Sequence, residues 1–132
     1  METNTEFTEF ELNDELIQTL TDLGFAKASP VQELTIDPIL EGKDVFAQAE
    51  TGSGKTGSFA IPLVEKILRD RHNRPEVAEQ DERIVRYIVM SPTRELAQQT
   101  HSFITKLTEK LSIDAACLIG GESIKKKKEV LS

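Results

Sequence analysis

Ala49-Glu50-Thr51-Gly52-Ser53-Gly54-Lys55-Thr56 decides how this chain is read. A short strand-like run, Asp44-Val45-Phe46-Ala47-Gln48, precedes it. After it, Phe59, Ala60, Leu63, Val64, Ile67 and Leu68 recur at helical spacing. Strand, glycine loop, Gly-Lys-Thr and helix is the order a phosphate-binding loop requires. Small residues let successive backbone N–H groups turn inward around phosphate oxygens. The helix N-terminus adds unpaired donors and partial positive charge. In that chemistry Lys55 reaches the β- and γ-phosphates, and the Thr56 hydroxyl ligates Mg²⁺. Ala49 stands where the strict pattern has glycine, a difference of one methyl group. The competing reading is a Gly-rich turn that carries Gly-Lys-Thr by chance. The strand before it and the helix after it weigh against that.

Upstream, Leu12, Leu16, Ile17, Leu20 and Leu23 form a helical stripe, with Asn13 or Asp14 as cap and Gly24 as stop. Phe7 and Phe10 lie too near the N-terminus to be obvious core residues, and residues 1–6 read as a frayed acidic tail. Ser29-Pro30-Val31-Gln32 opens a second helix: Ser29 suits the N-cap, Pro30 the first helical position, and Gln32 completes a capping box. Val31, Leu34, Ile39 and Leu40 supply its buried side, and Pro38 kinks it or ends it early. Glu41 to Asp44 is a turn. Pro62 introduces a local distortion in the helix after the phosphate loop, which fades near Arg71.

Residues 72–83 are charged and aperiodic, a surface loop. Ile84 to Met90 is the best strand of the sequence, nearly continuous in apolar residues as buried parallel strands are. Ser91 to Ala97 turns it into a helix whose core side is Leu96, Ala97, Thr100, Phe103, Ile104 and Leu107. Ala115 to Ile119 is a third strand, Gly120-Gly121 ends it, and Glu122 to Leu131 is a charged helix. Two helices followed by β-α-β-α-β-α imply an α/β fold, a parallel sheet with helices on both faces. Ligands bind such sheets at the carboxyl ends of the strands. The phosphate loop, Pro92-Thr93-Arg94 and Gly120-Gly121 therefore belong on one edge.

With 132 residues the chain suits one domain or part of one, large enough to bury about two-thirds of its unfolded surface. Hydrophobic residues make up 38% and charged residues 30%, a globular composition. The net charge of −7 argues against a general basic nucleic-acid binder, so any RNA contact comes from a local patch. Cys117 has no disulfide partner in the chain and sits in an apolar run, which reads as a buried thiol in a reducing compartment. No secretory signal is visible and no apolar run approaches the ~20 residues of a membrane span. The expected location is cytoplasmic.

Four segments, in order, resemble the first RecA-like domain of DEAD-box RNA helicases, over nearly the whole chain from Phe7 to Ser132. Gly24 to Gln32, with Phe7 seventeen residues upstream, looks like the adenine-reading Q motif. Ala49 to Thr56 looks like motif I, where alanine is the usual first residue. Pro92-Thr93-Arg94-Glu95-Leu96-Ala97 resembles motif Ia, and Gly120-Gly121 the GG element. The resemblance implies a partial RecA-like, P-loop NTPase sheet over residues 24–132, with residues 1–23 as a tail and first helix leading in.

It also implies ATP and Mg²⁺, bound by Phe7, Phe25, Gln32, Ala49, Glu50, Thr51, Gly52, Ser53, Gly54, Lys55 and Thr56. Lys55 and Thr56 act in catalysis, and Thr56 holds the metal. Phe7 stacks on adenine, and Gln32, both donor and acceptor, reads its edge. Pro92, Thr93, Arg94, Gly120 and Gly121 contact the RNA sugar-phosphate backbone without reading bases. Read alone, Gln32 is a capping residue, Phe7 a staple onto the first helix, Arg94 a solvated side chain and Gly120-Gly121 a plain turn. Lys125 to Lys128 is a solvated helix face before it is a phosphate contact. His72, in the loop, and His101, on a polar helix side, receive no role. Ala28 stands where the family often has proline.

The acidic motif that gives the family its name is absent: Asp81-Glu82-Arg83 precedes motif Ia and begins a strand instead of ending one. The later RNA-contacting motif and the second RecA-like domain are also missing. The expectation is an ATP-binding portion of an RNA helicase, itself catalytically inactive, whose partners are RNA and the remainder of the helicase core, with no membrane. An exposed strand edge favours self-association. Two rivals stand beside it: a non-enzymatic truncated module that binds nucleotide or RNA, and an unrelated phosphate-loop enzyme such as a small-molecule kinase.

Overall fold

The helix stripe between Leu12 and Leu23 folds as α1, Asp14–Asp22, with Asn13 as N-cap residue. Leu16 and Leu20 are fully buried, and Ile17 and Leu23 pack partly against the same core. A computed structural model describes residues 5–50, 52, 54–73 and 87–120. The first four residues of the tail expected at 1–6, the loop from 74 onward, the start of the strand at 84–86 and the final helix with Lys125 to Lys128 lie outside the described residues; Thr5 and Glu6 are not frayed but bonded to Ala28 and Lys27. The helices that follow are α2 (Pro30–Leu40), α3 (Lys55–Asn73) and α4 (Arg94–Thr108).

Gly24 stops α1 as expected, at φ +87°. Its N–H donates to Thr21 O at 3.0 Å, and the Phe25 N–H donates to Leu20 O at 2.8 Å. These two bonds make a Schellman cap, which satisfies carbonyls that the helix end leaves open. The same pair closes α2: the Gly42 N–H donates to Ile39 O and the Lys43 N–H to Pro38 O, both at 3.0 Å.

Phe7 and Phe10 correct the first expectation. They are 3% and 6% exposed and belong to the core, with ring centroids 6.1 Å apart. An antiparallel bridge between Glu6 and Lys27 holds them there. The Phe7 N–H donates to Ala26 O at 3.3 Å and the Ala28 N–H to Thr5 O at 2.9 Å. The N-terminal residues are thus tied to the segment before α2, and Ala28 is fully buried.

The core joins Leu16 and Leu20 of α1 to Ile36 of α2, to Ala60, Ile61, Val64 and Leu68 of α3, and to Ile104 and Leu107 of α4. Each fully buried Leu or Ile contributes about 1.5–3 kcal/mol. Helix α2 turns a different face inward from the one its apolar residues suggest. Gln32, Thr35 and Ile36 are buried, while Leu34 is 76% exposed. Thr35 is accommodated because its hydroxyl donates to Val31 O at 2.7 Å. Pro38 does not end α2 early; the helix runs two residues beyond it. Pro62 lies within α3, buried near its start, and Leu96 of α4 is largely exposed instead of core.

The parallel sheet is not present among the described residues. Segments 44–48, 87–90 and 115–119 carry no strand pairing. Phe46, Ile88 and Met90 stand 96%, 79% and 88% exposed. A strand exists as one side of a hydrogen-bonded ladder. An apolar run signals a strand only if a neighbour supplies the other side. Cys117 is half-buried, not buried. His72 belongs to the last turn of α3, not a loop, and its Nε2 lies 3.2 Å from Glu15 Oε1. His101 is half-buried, with Nε2 2.9 Å from Ala115 O.

Candidate nucleotide site

Two segments meet at the start of α3. The first is the capping box that opens α2. The Gln32 N–H donates to Ser29 Oγ at 3.4 Å, and the Ser29 N–H donates to Gln32 Oε1 at 2.9 Å. The second is the glycine loop. The Gln32 Nε2 reaches across and donates to Gly54 O at 3.2 Å, joining residues 22 apart in sequence. The same Gly54 carbonyl accepts the Ser58 N–H at 3.2 Å in the first turn of α3. One side chain therefore caps a helix and ties that helix to the loop. Gln32 is 9% exposed, and these bonds satisfy an amide that would otherwise be costly to bury.

The packing explains the glycines. Gly52 and Gly54 have φ of +84° and +90°. A Cβ at Gly54 would stand 2.5 Å from Ser29 Oγ and 2.8 Å from Gln32 Nε2, and one at Gly57 would collide with the same Nε2. A side chain at Gly54 meets a strained left-handed φ and has to displace the Ser29 and Gln32 side chains. Gly57 was absent from the sequence-level site; a glycine in the first turn of an otherwise apolar helix was its only signal.

Lys55 is exposed at the N-terminus of α3, and Thr56, next in the turn, is half-buried. Helix N-terminal N–H groups, a left-handed glycine loop and a solvent-facing ammonium form a donor set suited to a polyphosphate with its cation. Ala49 is half-buried and Glu50 exposed; Thr51 and Ser53 lie outside the described residues. Of the two aromatic candidates, Phe7 is nearly enclosed, whereas Phe25 is 42% exposed.

Thr93 is the N-cap of α4: its Oγ1 accepts the Leu96 N–H at 3.1 Å. Pro92, Thr93 and Arg94 are exposed, as is Gly120, while Gly121 lies outside the described residues. The structure joins Ser29, Gln32, Gly54 and Gly57 directly; Thr93 and Arg94 stand on a separate element. Among the described residues no cluster of His, Cys, Asp and Glu is arranged to hold a metal ion, and no helix is long and apolar enough to cross a membrane.

The sequence model of the DEAD/DEAH box helicases matches residues 29–132. The chain is 41% identical over 117 residues to ATP-dependent RNA helicase DDX50 of Mus musculus, covering 89% of this chain and 15% of that protein. It is 35% identical over 125 residues to DEAD-box ATP-dependent RNA helicase RhpA of Helicobacter pylori, covering 95% of this chain and 23% of that one. The crystal structure of a DEAD box protein from the hyperthermophile Methanococcus jannaschii superposes with a TM-score of 0.78 at 31% identity, over 99% of this chain and 33% of that one. The RNA-helicase Prp28 from Chaetomium thermophilum, crystallised bound to ADP, gives 0.74 at 26% identity, over 96% and 29%. The chain thus spans between 15% and 23% of the length of these two curated relatives.

Proposed function

Because the chain belongs to the DEAD/DEAH box helicase family, we propose that it is the nucleotide-facing part of an ATP-dependent RNA helicase. Residues 24–132 belong to the first RecA-like domain, and residues 1–23 lead into it. The observation that carries this reading is the Gln32 Nε2 bond to Gly54 O. It seats a donor-acceptor side chain directly against a phosphate-binding loop. A base read by Gln32 and phosphates held by residues 49–56 then belong to one molecule, ATP. Phe25, with its exposed ring, offers the base an apolar face, and Thr56 holds Mg²⁺. The Prp28 structure, a relative with ADP bound, supports the same assignment.

RNA meets the exposed Pro92, Thr93 and Arg94, with Gly120 and Gly121, through its sugar-phosphate backbone. Segments 44–48, 87–90 and 115–119 pair as parallel strands once neighbouring strands flank them, which brings these contacts to one edge. The setting is cytoplasmic. No adjacent pair of acidic residues follows Ala97 in these residues. Nothing here therefore orients the attacking water, and this chain by itself is a nucleotide-binding module. The test is ATP hydrolysis with and without RNA. A longer protein carrying these residues hydrolyses ATP when RNA is added, and Lys55→Ala abolishes it; the 132-residue chain hydrolyses none. RNA-independent hydrolysis in the longer protein, or RNA-stimulated turnover by the short chain, contradicts the proposal.

A further inference from the structure

The main chain of Phe25 is fixed on both sides. Its own N–H is bonded to Leu20 O at 2.8 Å, and the following residues are held by the Phe7 to Ala26 and Ala28 to Thr5 bonds. None of these bonds fixes the ring. What the ring meets is Phe103 of α4, with centroids 6.0 Å apart and planes inclined at 46°. That is the tilted geometry that aromatic pairs favour. Phe103 is itself half-buried against the core, so it is the anchored partner of the two.

We infer that Phe103 is a positioning residue for the base end of the nucleotide site, acting through Phe25. This rests on the nucleotide-site reading above. An unbraced, solvent-facing phenylalanine samples several rotamers, and a base that needs one of them binds more weakly for it. A partner ring behind Phe25 restricts that freedom before the ligand arrives, which is preorganisation. Phe103 lies on the helix that Thr93 caps, so this brace also sets the adenine end of the site against the element proposed to meet RNA.

The test is calorimetric titration of Mg-ADP and, separately, Mg-pyrophosphate into the 132-residue chain and its Phe103→Ala, Phe103→Leu and Phe103→Tyr variants. Pyrophosphate uses the loop without the base end. Phe103→Ala and Phe103→Leu are expected to weaken ADP about 2- to 10-fold, the scale of one aromatic pair. Both leave pyrophosphate within about twofold, and Phe103→Tyr restores ADP. Leucine keeps apolar bulk in the core, so it decides the matter if the alanine variant does not fold. Equal losses for both ligands, or parent affinity for ADP in the leucine variant, overturn the inference. If Lys55→Ala abolishes ADP binding in that same experiment, the nucleotide-site reading stands while the brace falls. Failure of the parent chain to bind ADP overturns both.

Discussion

Glu65→Ala should bring this chain close to unfolding. Glu65 is 1% exposed within the apolar face of α3. Its carboxylate accepts three bonds of 2.7 Å, from the Asn13 N–H, Asn13 Nδ2 and Arg69 Nε. Asn13 caps α1 without a side-chain bond of its own to that helix, so the carboxylate fixes where α1 begins. Arg69 also donates to Glu11 O at 2.5 Å, which draws the preceding segment onto α3. Removing the carboxylate leaves the Asn13 N–H and Asn13 Nδ2 without their acceptor, at about 1–3 kcal/mol each, while the partly exposed Arg69 turns to solvent. A domain of this kind has about 5–15 kcal/mol in total. Glu65→Gln keeps the shape but leaves one acceptor oxygen for three donors, and should cost about 1.5–3 kcal/mol. Arg69→Ala should cost less, because that side chain is 36% exposed. Urea denaturation followed by far-UV circular dichroism measures all three. A Glu65→Ala loss below about 1 kcal/mol, or strict additivity with Asn13→Ala, refutes the account.

Three further outcomes follow from named contacts. Gly54→Ala combines backbone strain of roughly 1–2 kcal/mol with displacement of Ser29 and Gln32, so Mg-ADP affinity should fall at least about tenfold; Gly24→Ala meets nothing within 4 Å and should cost stability by strain alone, with ADP affinity kept. Arg71 donates to Leu111 O at 2.6 Å and Ser112 O at 2.9 Å, beside the φ of 56° at Ser112. Arg71→Ala should cost about 1–3 kcal/mol and speed amide exchange over residues 109–114, measured by mass spectrometry. Phe7→Ala, which empties a core position, should cost about 3–5 kcal/mol by the same denaturation assay.

What the sequence displayed was short-range chemistry. The capping box from Ser29 to Gln32 and the Gly24 stop depend on residues a few positions apart, and both are found where the pattern puts them. What it concealed depends on distant partners. Leu34 looked like core, but the face of α2 that meets α3 carries Gln32 and Thr35, whose bonds make burial tolerable. Glu65 interrupts an apolar face with no local sign that Asn13, 52 residues earlier, would occupy it. Phe7 and Phe10 seemed terminal until the bridge to Lys27 tied them down. The strand runs carry the right composition, yet pairing comes from a neighbour and not from the run itself. In the site, the glycine pattern marks the turns at Gly52 and Gly54, whereas the Gln32 bond to Gly54 and the crowding at Gly57 join distant residues and carry no local signal.

The central claim is that an adenine-reading segment and a phosphate loop form one site. Titration of Mg-ADP and Mg-GDP into the chain and its Lys55→Ala and Gln32→Ala variants tests it most directly. The account predicts that ADP binds, that GDP binds at least about tenfold more weakly, that Lys55→Ala abolishes ADP binding, and that Gln32→Ala narrows the gap between the two nucleotides. Equal binding of ADP and GDP by the parent chain, or ADP binding indifferent to Lys55, would contradict it.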